Sequence, residues 1–209
     1  MAAIADETPL MSLRHKGRTA ALDLVLPIAL AWVLVGLFHA HFFRPPPKSN
    51  QLEPSFFGPI RMRLKLPGTA GRIPEPLIVC GRAGNASFVY IRLLKDAQAR
   101  VGVEFWGIGA FESDVFTLPA ADAQITFQCS IPAFFPDVGD REWLATSPRE
   151  QAFLTTHYFL AVNGVLRLTG SIDYKQPPRS LIYIGANPVG GSLVSYAFSG
   201  TILSTTQAK

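Results

Sequence analysis

The sequence predicts a mainly β fold, an antiparallel two-sheet sandwich preceded by one transmembrane α-helix. The chain of 209 residues contains 17 glycines and 17 prolines, a turn-rich composition that favours β domains over helical bundles. Runs that alternate apolar and polar residues recur from residue 60 onward, as half-buried strands require. Residues 24–43 carry no formal charge, and this is the length of helix that crosses a bilayer.

The composition excludes several classes of protein. Charged residues make up 16% of the chain and hydrophobic residues 48%, which excludes a disordered chain. The net charge of +4 is not concentrated in a dense Lys/Arg run, so the chain is not a conventional nucleic-acid binder. Two cysteines exclude a disulfide scaffold and a four-cysteine zinc site.

Residues 20–43 are predicted to form the transmembrane helix. Twenty uncharged residues span about 30 Å as a helix, and only a helix satisfies its own backbone in lipid. Pro27 lies near the helix start, where a missing N–H costs least, and Pro45-Pro46-Pro47 end the helix. A cleaved signal peptide, whose apolar run is usually about 7–15 residues long, and a buried soluble helix are the alternatives.

Basic residues on either side of this helix predict its orientation. Arg14, Lys16 and Arg18 precede it, whereas Arg44 and Lys48 follow it. By the positive-inside rule, this favours a cytoplasmic tail over residues 1–19 and an exported remainder. The sequence therefore predicts a single-pass protein of the inner (cytoplasmic) membrane, with its C-terminal domain in the periplasm or outside the cell.

The rest of the chain is predicted to be a linker and one β domain. Residues 44–59 contain five prolines and form a Pro-rich, semi-rigid linker. Residues 60–209 are long enough to bury a core, and their short runs between Gly, Pro and Asn turns indicate a sandwich or jelly roll. The predicted strands are 60–66, 77–80, 87–94, 100–106, 114–118, 123–131, 156–162, 165–168, 181–184 and 197–203.

Two local signals within the domain have a specific structural meaning. Asn163-Gly164 lies between two apolar runs and is the strongest hairpin signal in the chain. Ser147, Pro148 and Glu150 suit the N-cap, N1 and N3 positions of a helical turn over residues 147–154. We therefore expect one tight hairpin and one short helix among the strands.

Several motifs resemble, in their order, those of laminin-G-like and concanavalin A-like jelly-roll domains. Residues 76–77, 87–94 and 100–107 are similar to the opening hairpins of those domains, and the sequence AVNG at 161–164 resembles their V-D-G or V-N-G hairpin. The sequences IYIGANPVGG and FSGTI, at 182–191 and 198–202, resemble their closing strands. The resemblance covers residues 60–204 and implies a two-sheet antiparallel sandwich, but it leaves function open, because this fold carries lectins, adhesive modules, hydrolases and inert spacers.

The carboxylates do not form a catalytic pattern. Glycoside hydrolases need two carboxylates close together, whereas Glu104 is alone in its predicted strand, and Glu112 and Asp114 are predicted in the following loop. His157 is the only histidine of the domain, and no G-x-S-x-G motif accompanies it. We therefore expect no catalytic residues and no enzymatic activity.

No residues are assigned to a cofactor or a metal. Asp137 and Asp140 share a loop and are the best calcium candidates, but calcium needs six or more oxygen ligands. His39 and His41 lie at the end of the apolar run, where they are weak candidates for pigment or haem ligands. Asn187 matches an asparagine of the resembled family, and a turn before Pro188 explains it equally.

Cys80 and Cys129 are predicted on separate strands. In an exported domain such cysteines pair when their Cα atoms come within about 7 Å. Buried thiols are also common in protein cores. The sequence leaves both states open.

Large apolar side chains in predicted loops suggest a docking surface, since clustered exposed aromatics mark interfaces. The alternative is that most of them fill the core. The candidate docking residues are Trp32, Phe42, Phe43, Phe56, Phe57, Phe134, Phe135 and Trp143.

The first functional hypothesis is therefore a non-catalytic accessory subunit. It docks on and stabilises a larger membrane complex, such as an energy-transducing photosynthetic or respiratory one, and its partners are integral membrane proteins and the bilayer. The alternatives are a membrane-anchored carbohydrate-binding, lectin-like module, whose partner is a glycan, and an anchored glycoside hydrolase-like enzyme.

Overall fold

A computed structural model describes residues 50–51, 58–71, 73–135, 141–173 and 181–207. All of them belong to one compact unit, Pro46–Lys209. Their secondary structure is mainly β, in two antiparallel sheets. The predicted antiparallel two-sheet sandwich is confirmed.

Seven strands of the described residues form one sheet, which we call sheet A. The strands are β1 (Asn50–Gln51), β3 (Glu75–Arg82), β4 (Asn85–Leu93), β5 (Gln98–Phe105), β6 (Gly109–Glu112), β7 (Phe116–Thr117) and β11 (Ile182–Ile184). Their order is β1-β11-β3-β4-β5-β6, and β7 pairs with β5 at one end of the sheet. The strands β3, β4 and β5 are the longest, and they occupy the centre of the sheet.

A second sheet, sheet B, is formed by five strands within the described part of the chain. The strands are β2 (Ile60–Lys65), β8 (Gln124–Ser130), β9 (His157–Val162), β10 (Val165–Ser171) and β12 (Thr201–Gln207), and their order is β10-β9-β8-β2-β12. Strands β9 and β10 form the hairpin expected at Asn163-Gly164, where both residues have a positive φ (51° and 78°), as a type I′ turn requires.

The core lies between the two sheets. Strand β2 buries Ile60, Met62 and Leu64 and exposes the residues between them, the period of two that a half-buried strand shows. The rings of Phe105 on sheet A and Tyr158 on sheet B lie 5.5 Å apart between their centroids. Burial of these apolar side chains is the main force that holds the sheets together.

Most of the predicted strands are present, with bounds shifted by a few residues. Strand β12 begins at Thr201, later than the predicted 197–203 segment, because Gly200 and its neighbours form a bend. Strand β6 was not predicted, because Gly109–Glu112 is too short to show a period. Glu112, expected in a loop, therefore lies on a strand.

The described residues between strands β8 and β9 form a 3-10 helix, Pro132–Phe134, and two short α-helices. The helix Pro148–Leu154 begins as expected, with the Ser147 hydroxyl accepting a hydrogen bond from the Glu150 N–H at 3.3 Å. The helix Arg141–Ala145 was not predicted. Among the described residues, no helix has the length and apolarity needed to cross a membrane. The predicted segments 1–19 and 20–43 lie outside the described residues, as does most of the predicted linker 44–59.

Candidate functional site

Sheet A has a second apolar cluster on its outer face, the face turned away from sheet B. Val79, Phe88 and Tyr90 on this face are fully buried. They are covered by residues 185–198, a loop that we call the flap, whose Val194 belongs to the same cluster. A sheet face that is normally open to solvent in an antiparallel sandwich is thus partly closed by the chain itself.

The flap is closed at its base and braced inside. The N–H of Phe198 donates to the Gly185 carbonyl at 2.9 Å, and the N–H of Asn187 donates to the Tyr196 carbonyl at 2.8 Å. The buried side chain of Asn187 accepts from the Gly190 N–H at 3.0 Å and donates to the Val194 carbonyl at 3.3 Å. Asn187 thus braces the turn through its side chain, and the left-handed backbone is found at Gly190.

The tip of the flap contacts strand β5 and the residue after it. Oε2 of Glu104 accepts a hydrogen bond of 3.2 Å from the backbone N–H of Leu193. A Cβ added at Gly191 would lie 2.7 Å from the Trp106 ring, so the flap backbone passes directly over this indole. Burial raises the pKa of Glu104 above its ordinary value, although the hydrogen bond from Leu193 opposes the shift.

Beyond the flap, the outer face carries a cluster of polar groups that we call the polar patch: Tyr90, Arg92, Arg100 and Glu112. Oε1 of Glu112 accepts from Nε and Nη2 of Arg92 at 3.0 and 2.7 Å and from the Tyr90 hydroxyl at 3.3 Å. Nη1 of Arg100 lies 3.6 Å from Oε2 of Glu112. The side chains of Arg92, Arg100 and Glu112 keep 30%, 40% and 22% of their exposure, so a molecule in solution can reach them.

Strand register brings the patch together. Arg92 pairs with Arg100 across strands β4 and β5, and Gly102 pairs with Tyr90 on one side and Glu112 on the other. Gly102 leaves room for the Tyr90 ring, since a Cβ there would lie 2.3–2.5 Å from the ring and hydroxyl atoms. Burial raises the pKa of Tyr90, and the neighbouring Glu112 carboxylate adds to the shift, so this hydroxyl keeps its proton.

Glu104 and Glu112 lie on the same face of neighbouring strands. Gly102 pairs with Glu112 and Glu104 pairs with Ala110, so Glu104 and Glu112 occupy diagonal positions of the sheet, whose backbone positions are about 7–8 Å apart. Glu104 is the one carboxylate of strand β5, as the sequence predicts, and Glu112 on the neighbouring strand shares its face. Each carboxylate is nevertheless engaged, Glu104 by the flap and Glu112 by Arg92 and Tyr90.

Three of the candidate docking residues lie in the core. Phe134, Phe135 and Trp143 are buried, with the Phe135 and Trp143 ring centroids 5.5 Å apart. Their side chains fill the sandwich, which is the alternative that the sequence left open. The other site residues predicted from sequence lie outside the described residues: Trp32, His39, His41, Phe42, Phe43, Phe56, Phe57, Asp137 and Asp140.

The cysteines and the domain histidine have structural environments. Cys80 and Cys129 are buried thiols that do not form a disulfide, and burial raises the pKa of Cys129. Nδ1 of His157 lies 2.9 Å from the Thr156 hydroxyl and 3.0 Å from the Phe153 carbonyl. No group of three His, Cys, Asp or Glu side chains within the described part of the chain is placed to hold a metal ion.

Sequence comparison identifies no relative: no protein-family model matches the chain, and no curated protein does. Comparison with solved structures finds mouse laminin α1 chain domains LG4-5, at 9% identity and a TM-score of 0.42, covering 76% of this chain and 37% of that one. The CBM40 of the Ruminococcus gnavus IT-sialidase matches at 15% identity and a TM-score of 0.43, covering 73% and 76%. Sheep galectin-11, in a complex with glycerol, matches at 12% identity and a TM-score of 0.40, covering 78% and 98%.

Proposed function

We propose that this protein is a non-catalytic carbohydrate-binding module and that the polar patch on the outer face of sheet A is its binding site. The observation that carries the proposal is the arrangement of Arg92, Arg100 and Glu112 on the part of this face that the flap leaves uncovered, with the hydroxyl of the buried Tyr90 hydrogen-bonded to Glu112. Side chains of this kind on an exposed sheet face are available to a ligand that lies flat on it.

The chemistry of the patch suits a polyhydroxylated ligand. A sugar presents neighbouring hydroxyl groups that both donate and accept hydrogen bonds. The guanidinium groups of Arg92 and Arg100 donate only, and the Glu112 carboxylate accepts only. Because the ion pair holds donors and an acceptor beside each other, the patch can contact two adjacent hydroxyl groups at once.

The flap covers the aromatic residues of this face. Its Gly191 backbone passes over the Trp106 ring, and Trp106 packs on Phe88 with 6.0 Å between ring centroids. The contacts that the uncovered patch offers to a ligand are therefore mainly polar.

The non-catalytic part of the proposal rests on how the two carboxylates are used. A glycoside hydrolase needs one carboxyl group that donates a proton and a second that attacks or activates water. Here the Glu104 carboxylate holds the flap, and the Glu112 carboxylate holds Arg92. We therefore expect binding of intact oligosaccharides without cleavage of their glycosidic bonds.

A glycan array probed with the full chain tests the proposal. We expect binding that the double variant Arg92→Ala/Glu112→Ala abolishes, since it removes both members of the closest ion pair and leaves Arg100 as the one charged group of the patch. The matched control is Arg61→Ala/Gln128→Ala, which removes an exposed polar pair, joined at 3.4 Å, from sheet B. Absence of binding to all glycans, equal loss in both double variants, or release of shortened products would contradict the proposal.

A second candidate function is the accessory subunit of a membrane complex. The uncharged run at residues 24–43 favours it, because a chain anchored in a bilayer lies beside other membrane proteins. The two candidates are compatible, since an anchored domain can also bind glycans. Retention of the full chain in membranes after an alkaline carbonate wash supports the anchor. Co-purification with integral membrane proteins at a fixed ratio supports the subunit, and recovery of the chain alone argues against it.

A further inference from the structure

Arg92 and Arg100 are directly opposite each other on strands β4 and β5. Like charges in opposite positions destabilise a sheet pair, and here a single carboxylate, that of Glu112, is shared between the two guanidinium groups. Glu112 lies close to Arg92, at 2.7 Å, and further from Arg100, at 3.6 Å. The local balance is therefore two positive charges to one negative charge, and Arg100 is the less compensated of the two.

Arg100 has more N–H donors left for a ligand than Arg92 has. Its closest approach to Glu112 is longer than a hydrogen bond, and its side chain keeps 40% of its exposure. A guanidinium has five N–H donors in a planar fork that matches a carboxylate in two parallel hydrogen bonds. A second carboxylate arriving from solution can thus use the outward edge of this guanidinium without displacing Glu112.

The Glu104 carboxylate does not change that balance. Glu104 is the next acidic residue on strand β5, four residues from Arg100, or about 13 Å along an extended strand. Its carboxylate contacts the flap. At that distance the interaction between exposed charges is largely screened at physiological salt. The neighbours of Arg100 along the outer face of its own strand are Gln98 and Gly102, which carry no charge.

We propose that the ligand of the polar patch is an acidic oligosaccharide, in which a sugar carboxylate binds Arg100 and the neighbouring hydroxyl groups bind Arg92 and Glu112. This inference rests on the proposed function and deepens it, because it names the class of sugar. The carboxylate of the ligand supplies the negative charge that the Arg92–Arg100 pair lacks. Discrimination against the neutral form of the same sugar follows, because a neutral ligand leaves the Arg100 guanidinium uncompensated.

Binding of oligogalacturonate and of its methyl ester to the full chain tests this inference. The ester keeps the sugar and its shape but removes the charge, so it is a matched probe. We expect the acid to bind about tenfold or more tightly than the ester, as the loss of a charge-assisted hydrogen bond implies. Raising the salt concentration should weaken binding of the acid and leave binding of the ester nearly unchanged.

Two substitutions give effects of opposite sign. Arg100→Gln should lower the affinity for the acid about tenfold and leave the ester unaffected. Glu112→Gln should raise the affinity for the acid about two- to fivefold, because it removes a competing negative charge. Arg63→Gln, at an exposed position on the outer face of sheet B, should change neither and controls for the net positive charge of the chain. Circular dichroism checks that each variant is folded.

The outcomes separate this inference from the proposed function. Equal binding of acid and ester, or weaker binding of the acid by Glu112→Gln, overturns the acidic ligand and leaves a neutral-sugar module standing. Binding that Arg63→Gln weakens as much as Arg100→Gln shows a general attraction to positive charge and also overturns it. If no oligosaccharide of either kind binds here or on the array, the proposed function itself fails.

Discussion

The backbone N–H of Leu193 donates a hydrogen bond of 3.2 Å to Oε2 of Glu104. This contact joins the tip of the flap to strand β5, across 89 residues of sequence. It closes one half of the outer face of sheet A and leaves the half with Arg92, Arg100 and Glu112 open. The boundary of the proposed binding site is therefore set by the flap as much as by the sheet.

The pH dependence of stability should report the burial of Glu104. Burial raises the pKa of Glu104 above its ordinary value of 4.5, so folding favours the protonated form. The protonated Glu104 side chain therefore makes its full contribution to the free energy of unfolding below pH 4.5. That contribution is lost as the pH rises through the higher pKa of the folded state. In Glu104→Gln this loss should be absent, so the stability of the wild type relative to the variant should fall over that range.

Urea denaturation of both proteins at a series of pH values measures this difference. Gln98→Ala, at an exposed uncharged position of strand β5, is the control, and its stability relative to the wild type should stay constant over this pH range. A wild-type stability that rises relative to Glu104→Gln over the same range would have the wrong sign and would show that the Leu193 hydrogen bond outweighs burial.

Val194→Ala should loosen the flap. Val194 is 6% exposed and packs on Phe88 and Tyr90, so the loss of its methyl groups should cost about 2 kcal/mol. Hydrogen exchange at flap amides, such as that of Asn187, should accelerate more than exchange in sheet B. The neighbouring Leu193→Ala is the control, because Leu193 is 56% exposed. Equal effects of the two substitutions would show that the flap is not held by this contact.

Gly102→Ala should destabilise the protein through Tyr90. The added Cβ would overlap the Tyr90 ring and hydroxyl, and overpacking of this kind costs about 1–3 kcal/mol. In a Tyr90→Ala background the ring is gone, so Gly102→Ala should cost much less. A double-mutant cycle by urea denaturation measures the coupling. If Gly102→Ala lowers the free energy of unfolding equally in both backgrounds, the overlap with Tyr90 is not the cause of the destabilisation.

The two cysteines should be thiols that do not react in the native protein. Both are buried, and burial raises the pKa of Cys129, which keeps it in the unreactive thiol form. Ellman's reagent should therefore react quickly with two thiols per chain in guanidinium. In the native protein, both thiols should react much more slowly. Reductant should not change the melting temperature. Absence of thiols in the denatured protein would instead indicate a disulfide.

Local patterns predicted much of the fold. Alternation in Ile60–Lys65 fixes which face of strand β2 is buried, and Asn163-Gly164 fixes a turn type, because each signal acts between residues near in sequence. Ser147 likewise predicted a helix start. Strand Gly109–Glu112 lacked such a signal, since a strand of four residues at a sheet edge is defined by its partner β5.

The candidate site could not be predicted in the same way. Arg92 and Glu112 are 20 residues apart, and Glu104 and Leu193 are 89 apart. Their contacts depend on strand register and on the path of the flap, which no local period encodes. The burial of Phe134, Phe135 and Trp143 depends likewise on how the segment after β8 packs on the sandwich. Gly102 gave a usable signal, because a glycine within a strand often marks the close approach of another group.

Backbone hydrogen exchange of the full chain, with and without the tightest-binding oligosaccharide, shows whether a glycan binds the outer face of sheet A. We expect protection to increase in strands Asn85–Leu93, Gln98–Phe105 and Gly109–Glu112, with no change in sheet B. Protection that appears in sheet B or at the β9–β10 turn, and not in these three strands, would rule out this face as the binding site.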